Sequence, residues 1–284
     1  MVTQQKNARV FSLEYFPPKD DEARARLQDT TRTLAVLKPA YISVTYGAGG
    51  STQSGTYETV RWLKEAGIDA APHISCVGAT RERIVEQLKA YQALGVKRIV
   101  ALGGDLPSGM ASPGEFRYAY QLVQLIREVS GDWFHIEVAA YPEAHPRAAS
   151  LAEDLARFKE KVACGASAAL TQYFYNADAY FRFVDDCARG GVGIPIVPGV
   201  MPITNYKQLA RFSDACGAEI PRWIRKRLEG FGDDLESLRA FGFDVTLKLA
   251  EQLLAGGAPG LHFYAMNRAE PTTALWKQLG LGRG

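Results

Sequence analysis

Val10-Phe-Ser-Leu-Glu-Tyr-Phe-Pro-Pro18 is an apolar run that carries one acid near its end and is then stopped by two prolines. Proline lacks an amide N–H and fixes φ, so the pair ends the strand that the run predicts at Arg9–Tyr15. Glu14 shares a strand face with Val10 and Ser12. The pattern then recurs along the chain. Strand-like segments at Ala40–Thr45, Ile68–His73, Arg98–Leu102, His135–Ala140, Ala168–Phe174, Ile194–Pro198 and Gly260–Tyr264 complete a set of eight. Helical periodicity fills the gaps at Asp21–Leu37, Gly55–Glu65, Thr80–Leu94, Gly114–Val129, Ser150–Cys164, Ala177–Ala188, Asn205–Ala215 with Pro221–Leu228, and Leu235–Leu254. Glu270–Leu279 adds a closing helix. Eight β/α units predict a (β/α)8 TIM barrel, with residues 1–284 as one domain. An open doubly wound sheet is the architectural rival.

Local signals agree with this alternation. Thr80 is placed to N-cap a helix, Glu82 lies in its first turn, Ile84, Leu88 and Tyr91 recur at helical spacing, and Gly95 supplies the stop. At the second strand Tyr41, Ser43 and Thr45 share one face, while Ile42 and Val44 share the other. In a barrel the first face points inward and the second packs on helices.

Composition excludes several classes. A net charge of +2 gives no case for nucleic acid or an anionic membrane as the main partner. No apolar run approaches the roughly 20 residues that span a bilayer. The segment from Met1 to Arg9 is polar and lacks a signal-peptide core, so a cytoplasmic protein is expected. Cys76, Cys164, Cys187 and Cys216 form no C-x-x-C pair and read as reduced thiols. His73, His135, His145 and His262 show no H-E-x-x-H spacing, and no metal site is expected.

The C-terminal strand ends of such a barrel converge on one mouth. Glu14, Thr45, His73, Asp105, Tyr141, Gln172 and Arg268 lie at or just beyond those ends. An inward carboxyl group in an apolar barrel is desolvated, which suits Glu14 to general acid work; a buried acid paired with arginine is the plainer reading. Asp105 follows Gly103-Gly104, where a ligand can approach the backbone, but a turn or N-cap aspartate fits equally. The Gln172 amide both donates and accepts, which suits the edge of a heterocycle or a core amide alike. The glycine-rich stretch 46–56 misses a dinucleotide fingerprint at Thr52 and has no G-K-[ST]. His145 lies just before a helix on which Asp154 and Lys161, seven residues apart, share a face fit to grip a ribose or phosphate, or simply to meet solvent. A Schiff-base lyase needs a lysine in the mouth. Lys97 precedes its strand and Lys161 lies on a helix.

Eight segments in order, Glu14-Tyr-Phe-Pro-Pro18, Ser43-Val-Thr-Tyr-Gly-Ala48, Ala71-Pro-His73, Gly104-Asp-Leu-Pro107, Ala139-Ala-Tyr-Pro-Glu-Ala-His-Pro146, Thr171-Gln-Tyr-Phe174, Pro198-Gly-Val-Met-Pro202 and Phe263-Tyr-Ala-Met-Asn-Arg268, resemble the motifs of the methylenetetrahydrofolate reductases. The resemblance spans the chain and implies a (β/α)8 barrel with non-covalent FAD. It implies an NADH- or NADPH-driven reduction of methylenetetrahydrofolate to 5-methyltetrahydrofolate, in one-carbon metabolism feeding methionine synthesis. It further implies a homo-oligomer, and no S-adenosylmethionine-binding regulatory domain. By residue, it implies Glu14 as general acid and Asp105 at the flavin and pterin edges. Thr45 falls near the nicotinamide. Tyr46, Ala48, His73, Gly104, Tyr118, Ala119, Ala139, Tyr141, His145, Asp154 and Lys161 match FAD-contacting positions. Gln172, Gln208, Phe212 and Arg268 match the substrate side. Family members often carry arginine where this chain has Gly103, and Arg157 is a candidate substitute. A non-catalytic flavin or folate carrier, and electron supply through a partner protein, are the alternatives within this reading.

Overall fold

The computed structural model describes residues 4–46, 53–104 and 114–281. Among these residues nine strand segments alternate with ten helices. The strands are β1 (Val10–Tyr15), β2 (Ile42–Val44), β3 (Ala70–Ser75), β4 (Arg98–Leu102), β5 (His135–Ala140), β6 (Ala168–Thr171), β7 (Ile196–Val197), β8 (Gly199–Val200) and β9 (Gly260–Tyr264). The helices are α1 (Asp21–Ala35), α2 (Gln53–Glu65), α3 (Arg81–Ala93), α4 (Ala119–Ser130), α5 (Leu151–Ala163), α6 (Ala177–Arg189), α7 (Tyr206–Cys216), α8 (Arg222–Gly230), α9 (Leu235–Ala255) and α10 (Thr272–Gln278).

Every strand pair is parallel, in the order β7-β6-β5-β4-β3-β2-β1-β9-β8. β7 and β8 are two halves of one strand position on either side of Pro198. β7 pairs with β6, and β8 pairs with β9. Pro198 has no N–H to continue either ladder, yet its carbonyl accepts from the His262 amide at 2.9 Å. The sheet therefore closes into an eight-position (β/α) barrel, and the open-sheet rival falls. The strand predicted at Ile194–Pro198 is thus shifted and split, because the proline breaks the ladder that a sequence pattern reads as continuous.

Two apolar layers follow from strand alternation. Leu13, Ile42, Val44, Ile74, Ile99, Val138 and Phe263 face the helices. Val10, Tyr41, Ala71, Val100, Leu102, Leu170 and Val197 form a second cluster inside the barrel. Thr80 caps α3 as expected, its hydroxyl accepting from the Arg83 amide at 3.3 Å, and Gly95 follows at φ +70. α4 begins at Ala119 rather than near Gly114, where the Gln121 side chain accepts from the amides of Arg117 and Tyr118 and fixes the start. β3 runs on to Ser75, so His73 sits within its strand. Among the described residues no helix is long and apolar enough to cross a membrane.

Candidate active site

Glu14 lies inside the mouth, 8 % exposed, between two imidazoles. Its Oε2 is 3.4 Å from His73 Nε2 and 3.5 Å from His262 Nε2. Both Nε2 atoms are buried without a hydrogen-bond partner. Strand register explains the convergence. Glu14 pairs with Ser43 on β2 and Tyr264 on β9, one step above the Ser12–His262 pair. Ser12 Oγ lies 2.7 Å from His262 Nδ1. Burial pushes the His73 imidazolium down to about 4, with the Glu14 charge opposing and His262 adding to the shift. His73 is therefore neutral at physiological pH. The arginine partner that would make Glu14 a plain structural acid is absent among the described residues. Three ligating groups converge here, yet no cluster among the described residues is arranged to hold a metal ion.

The rim is held by the same segments. Asn267, at φ +55 after β9, accepts from the Phe16 amide and donates to the Phe16 carbonyl, both at 2.8 Å. The loop after β1 is thereby tied to the loop after β9, where Arg268 stands exposed. Thr45 follows β2, 4 % exposed, and its Oγ1 has no partner; neither has Ser43 Oγ. Gln172 follows β6, with Oε1 accepting from the Tyr173 amide at 3.0 Å. Tyr264 crosses above β8 to donate to the Thr171 carbonyl at 2.8 Å. Only glycine fits beneath it: a Cβ on Gly199 would lie 2.4 Å from that carbonyl and 2.6 Å from the Tyr264 ring. Gln208 and Phe212 lie on α7, both partly buried.

The flank between β4 and β5 carries the remaining candidates. The β4–β5 ladder ends at Ala101–Val138. The next carbonyl, Ala139, accepts from Lys161 Nζ at 2.6 Å instead. Burial pushes the Lys161 ammonium down to about 8, against the pull of Asp154. Burial raises Asp154, although its carboxylate accepts from the His145 amide at 3.2 Å and faces Lys161. Tyr141 meets the His145 ring edge-on at 4.6 Å. Arg157 lies 4.5 Å over the Tyr118 ring, beside Ala119, and pairs with Glu160. Arg147, not singled out from sequence, donates from Nη2 to the Gly104 carbonyl at 3.1 Å. Tyr46 is partly buried after β2. Ala48 and Asp105 lie outside the described residues. A surface cavity of about 740 Å³ bordered by Asp178, Trp223 and Gln252 lies off the mouth and holds none of the candidate residues.

The arrangement offers one buried carboxyl group between two imidazoles, under a mouth lined with unsatisfied polar atoms. Sequence reasoning missed His262, Ser12, Tyr264 and Arg147. The signal for the first three was alternation on β1 and β9, which places them on the Glu14 face.

Known proteins bear on this site. The family model for methylenetetrahydrofolate reductase matches residues 2–280. The 5,10-methylenetetrahydrofolate reductase of Salmonella typhimurium is 39 % identical over 274 residues, covering 96 % of this chain and 91 % of that one. Its Escherichia coli counterpart is 38 % identical with the same coverage. A rice protein named probable methylenetetrahydrofolate reductase (NADH) is 37 % identical, covering 96 % of this chain and 48 % of that one. Among solved structures, an uncharacterized protein from Clostridium thermocellum that binds two copies of 5-methyl-5,6,7,8-tetrahydrofolic acid superposes with a TM-score of 0.70 at 18 % identity, covering 98 % of this chain and 99 % of that one. At that identity the match speaks to the fold.

Proposed function

The chain belongs to the methylenetetrahydrofolate reductase family, an oxidoreductase family, and from that premise we propose that it reduces 5,10-methylenetetrahydrofolate to 5-methyltetrahydrofolate with NADH or NADPH and bound FAD, in the cytoplasm, for methionine synthesis. The observation that carries the reading is the buried Glu14 carboxyl group, faced by two imidazoles and, among the described residues, by no arginine. The name of the rice relative favours NADH as the donor.

The mouth suits a flat polar heterocycle. Ser43 Oγ, Thr45 Oγ1 and His73 Nε2 are buried donors or acceptors without a protein partner, and buried polar atoms are seldom left so. The residues that would hold FAD are Tyr46, Ala48, His73, Gly104, Asp105, Tyr118, Ala139, Tyr141, His145, Asp154 and Lys161, with Ala119 at the start of α4. Bound FAD supplies a hydride taken from the nicotinamide and delivered to the folate carbon.

Glu14 holds a proton within the mouth and gives it to a folate nitrogen as the five-membered ring opens. His73, kept neutral by burial, faces the carboxyl group without competing as a cation. Gln172 offers its amide to the pterin or the nicotinamide in turn, and Thr45 borders the nicotinamide. Asp105 hydrogen-bonds the pterin, and Arg268 meets the carboxylates of the folate tail. Gln208 and Phe212 border the same substrate from α7.

Anaerobic visible spectroscopy tests the reading. A flavin spectrum that bleaches with NADH and returns on adding methylenetetrahydrofolate supports it. A protein that stays colourless and inert after FAD is supplied overturns it.

A further inference from the structure

Glu143 has no part in the chemistry above, yet it stands between Tyr141 and His145 and is partly buried. Its Oε2 accepts from the Glu219 amide at 2.8 Å, which ties the loop after β5 to the segment after α7 across 76 residues. An ionised acceptor makes this a stronger bond than one between neutral groups. Two further features meet at the same place. Gly217 ends α7 at φ +75, and a Cβ there would lie 2.9 Å from Pro146 Cγ, so both the turn and the neighbouring loop require glycine. Ala144 holds φ +74, unfavourable for a residue with a Cβ, and such a conformation persists only where its surroundings fix it.

The two sides of this tie are not equally anchored. The loop after β5 is held again at His145, whose amide donates to Asp154, and at Arg147, which donates to the Gly104 carbonyl. Among the described residues, the other polar contacts of the C-terminal half of α7 run to one group, the Tyr173 phenol, 3.0 Å from Ser213 Oγ and 3.6 Å from Cys216 Sγ. Loss of the Glu143 bond therefore releases the helix rather than the loop. Gln208, Phe212 and Cys216 recur every four residues on one face of α7, so a shift at its end is carried to both candidate substrate residues.

We propose that Glu143 is a positioning residue: through the Glu219 amide it fixes α7 against the loop after β5, and so seats Gln208 and Phe212 in register with Tyr141 and His145. This rests on the reading of Gln208 and Phe212 as substrate-side residues, and of Tyr141 and His145 as cofactor-side ones. No proton or hydride passes through Glu143. Its carboxylate acts on the folate only by way of α7, and what it sets is the placement of the groups that orient the substrate.

The test uses FAD-loaded enzyme with Glu143→Ala, Glu143→Gln, Gln208→Ala, and Glu143→Ala combined with Gln208→Ala. Flavin reoxidation is followed across a range of methylenetetrahydrofolate concentrations, and FAD retention by fluorescence. In Glu143→Ala the folate concentration for half-maximal reoxidation rises about tenfold, while the rate at saturation and FAD affinity stay within about twofold of wild type. Glu143→Gln, whose amide oxygen accepts the same N–H, stays within about twofold throughout. The combined variant falls short of the product of the two single effects, because residues that act as one unit are not additive. Unchanged half-saturation in Glu143→Ala, an equal loss in Glu143→Gln, or effects that multiply in the combined variant would each overturn the positioning role and leave the reductase reading intact. Loss of FAD from Glu143→Ala would also overturn it, by placing the effect in the cofactor loop rather than in α7. A wild-type enzyme that never reduces the folate would instead remove the reductase reading, and this role with it.

Discussion

Glu14→Gln isolates the proton donor. Glutamine keeps the shape of the side chain, and its amide can donate to one of the two unpartnered Nε2 atoms now 3.4 and 3.5 Å from Oε2. His73 is neutral, so removing the carboxylate strands no cation beside it. The folding cost is therefore within about 1 kcal/mol, the scale of a single exchanged hydrogen bond. The catalytic cost is larger. A positioned general acid contributes roughly 10²–10⁴-fold, or about 3–5 kcal/mol of barrier. Stopped-flow absorbance of the flavin separates the halves. Reduction by NADH proceeds near the wild-type rate, and reoxidation by methylenetetrahydrofolate slows by that factor. Equal losses in both halves would refute the assignment, since the first half draws no proton from Glu14.

His73→Gln should flatten the acid limb of apo-protein stability. The folded pKa of about 4 lies below the ordinary 6.5, so the unfolded chain binds more protons between these values and stability falls as pH drops through them. The wild-type loss between pH 7 and 5 should shrink by about 1–2 kcal/mol in urea titrations. Gly199→Ala should cost roughly 2–4 kcal/mol, because the new methyl group meets the Thr171 carbonyl at 2.4 Å and displaces Tyr264 from it; thermal melting within a degree of wild type would contradict this. Arg147→Ala should weaken FAD binding about tenfold by flavin fluorescence, if its place at the Gly104 carbonyl serves the role expected of Arg157. Arg157→Ala, read the same way, decides between the two arginines.

The architecture was legible because each β/α unit carries its own period. Tyr41, Ser43 and Thr45 alternate with Ile42 and Val44 as read, and the structure puts Tyr41 in the inner cluster and Ile42 and Val44 against helices. Glu14, Thr45 and Gln172 lie at or just past the ends of β1, β2 and β6 as read, because a strand's end is a local property. His262 was not legible, since its meaning depends on β9 lying beside β1, a pairing across 250 residues that periodicity does not encode. Pro198 misled for a related reason. Within one strand it reads as a terminus, whereas closure of the barrel uses it as the joint between two ladders. Arg147 was hidden because its contact to Gly104 bridges two loops, where no regular spacing applies.

The β1–β9 pairing also has a consequence for synthesis on the ribosome. Val10–Glu14 and Gly260–Tyr264 meet only once some 250 further residues have emerged after β1. Until then β1 has an open edge, and Glu14 lacks both His262 and the Asn267 clasp on Phe16. Truncated or stalled chains thus possess most of the barrel yet not its acid site. Emergence of β9 and the loop after it, rather than formation of any earlier unit, is the event that assembles the mouth around Glu14.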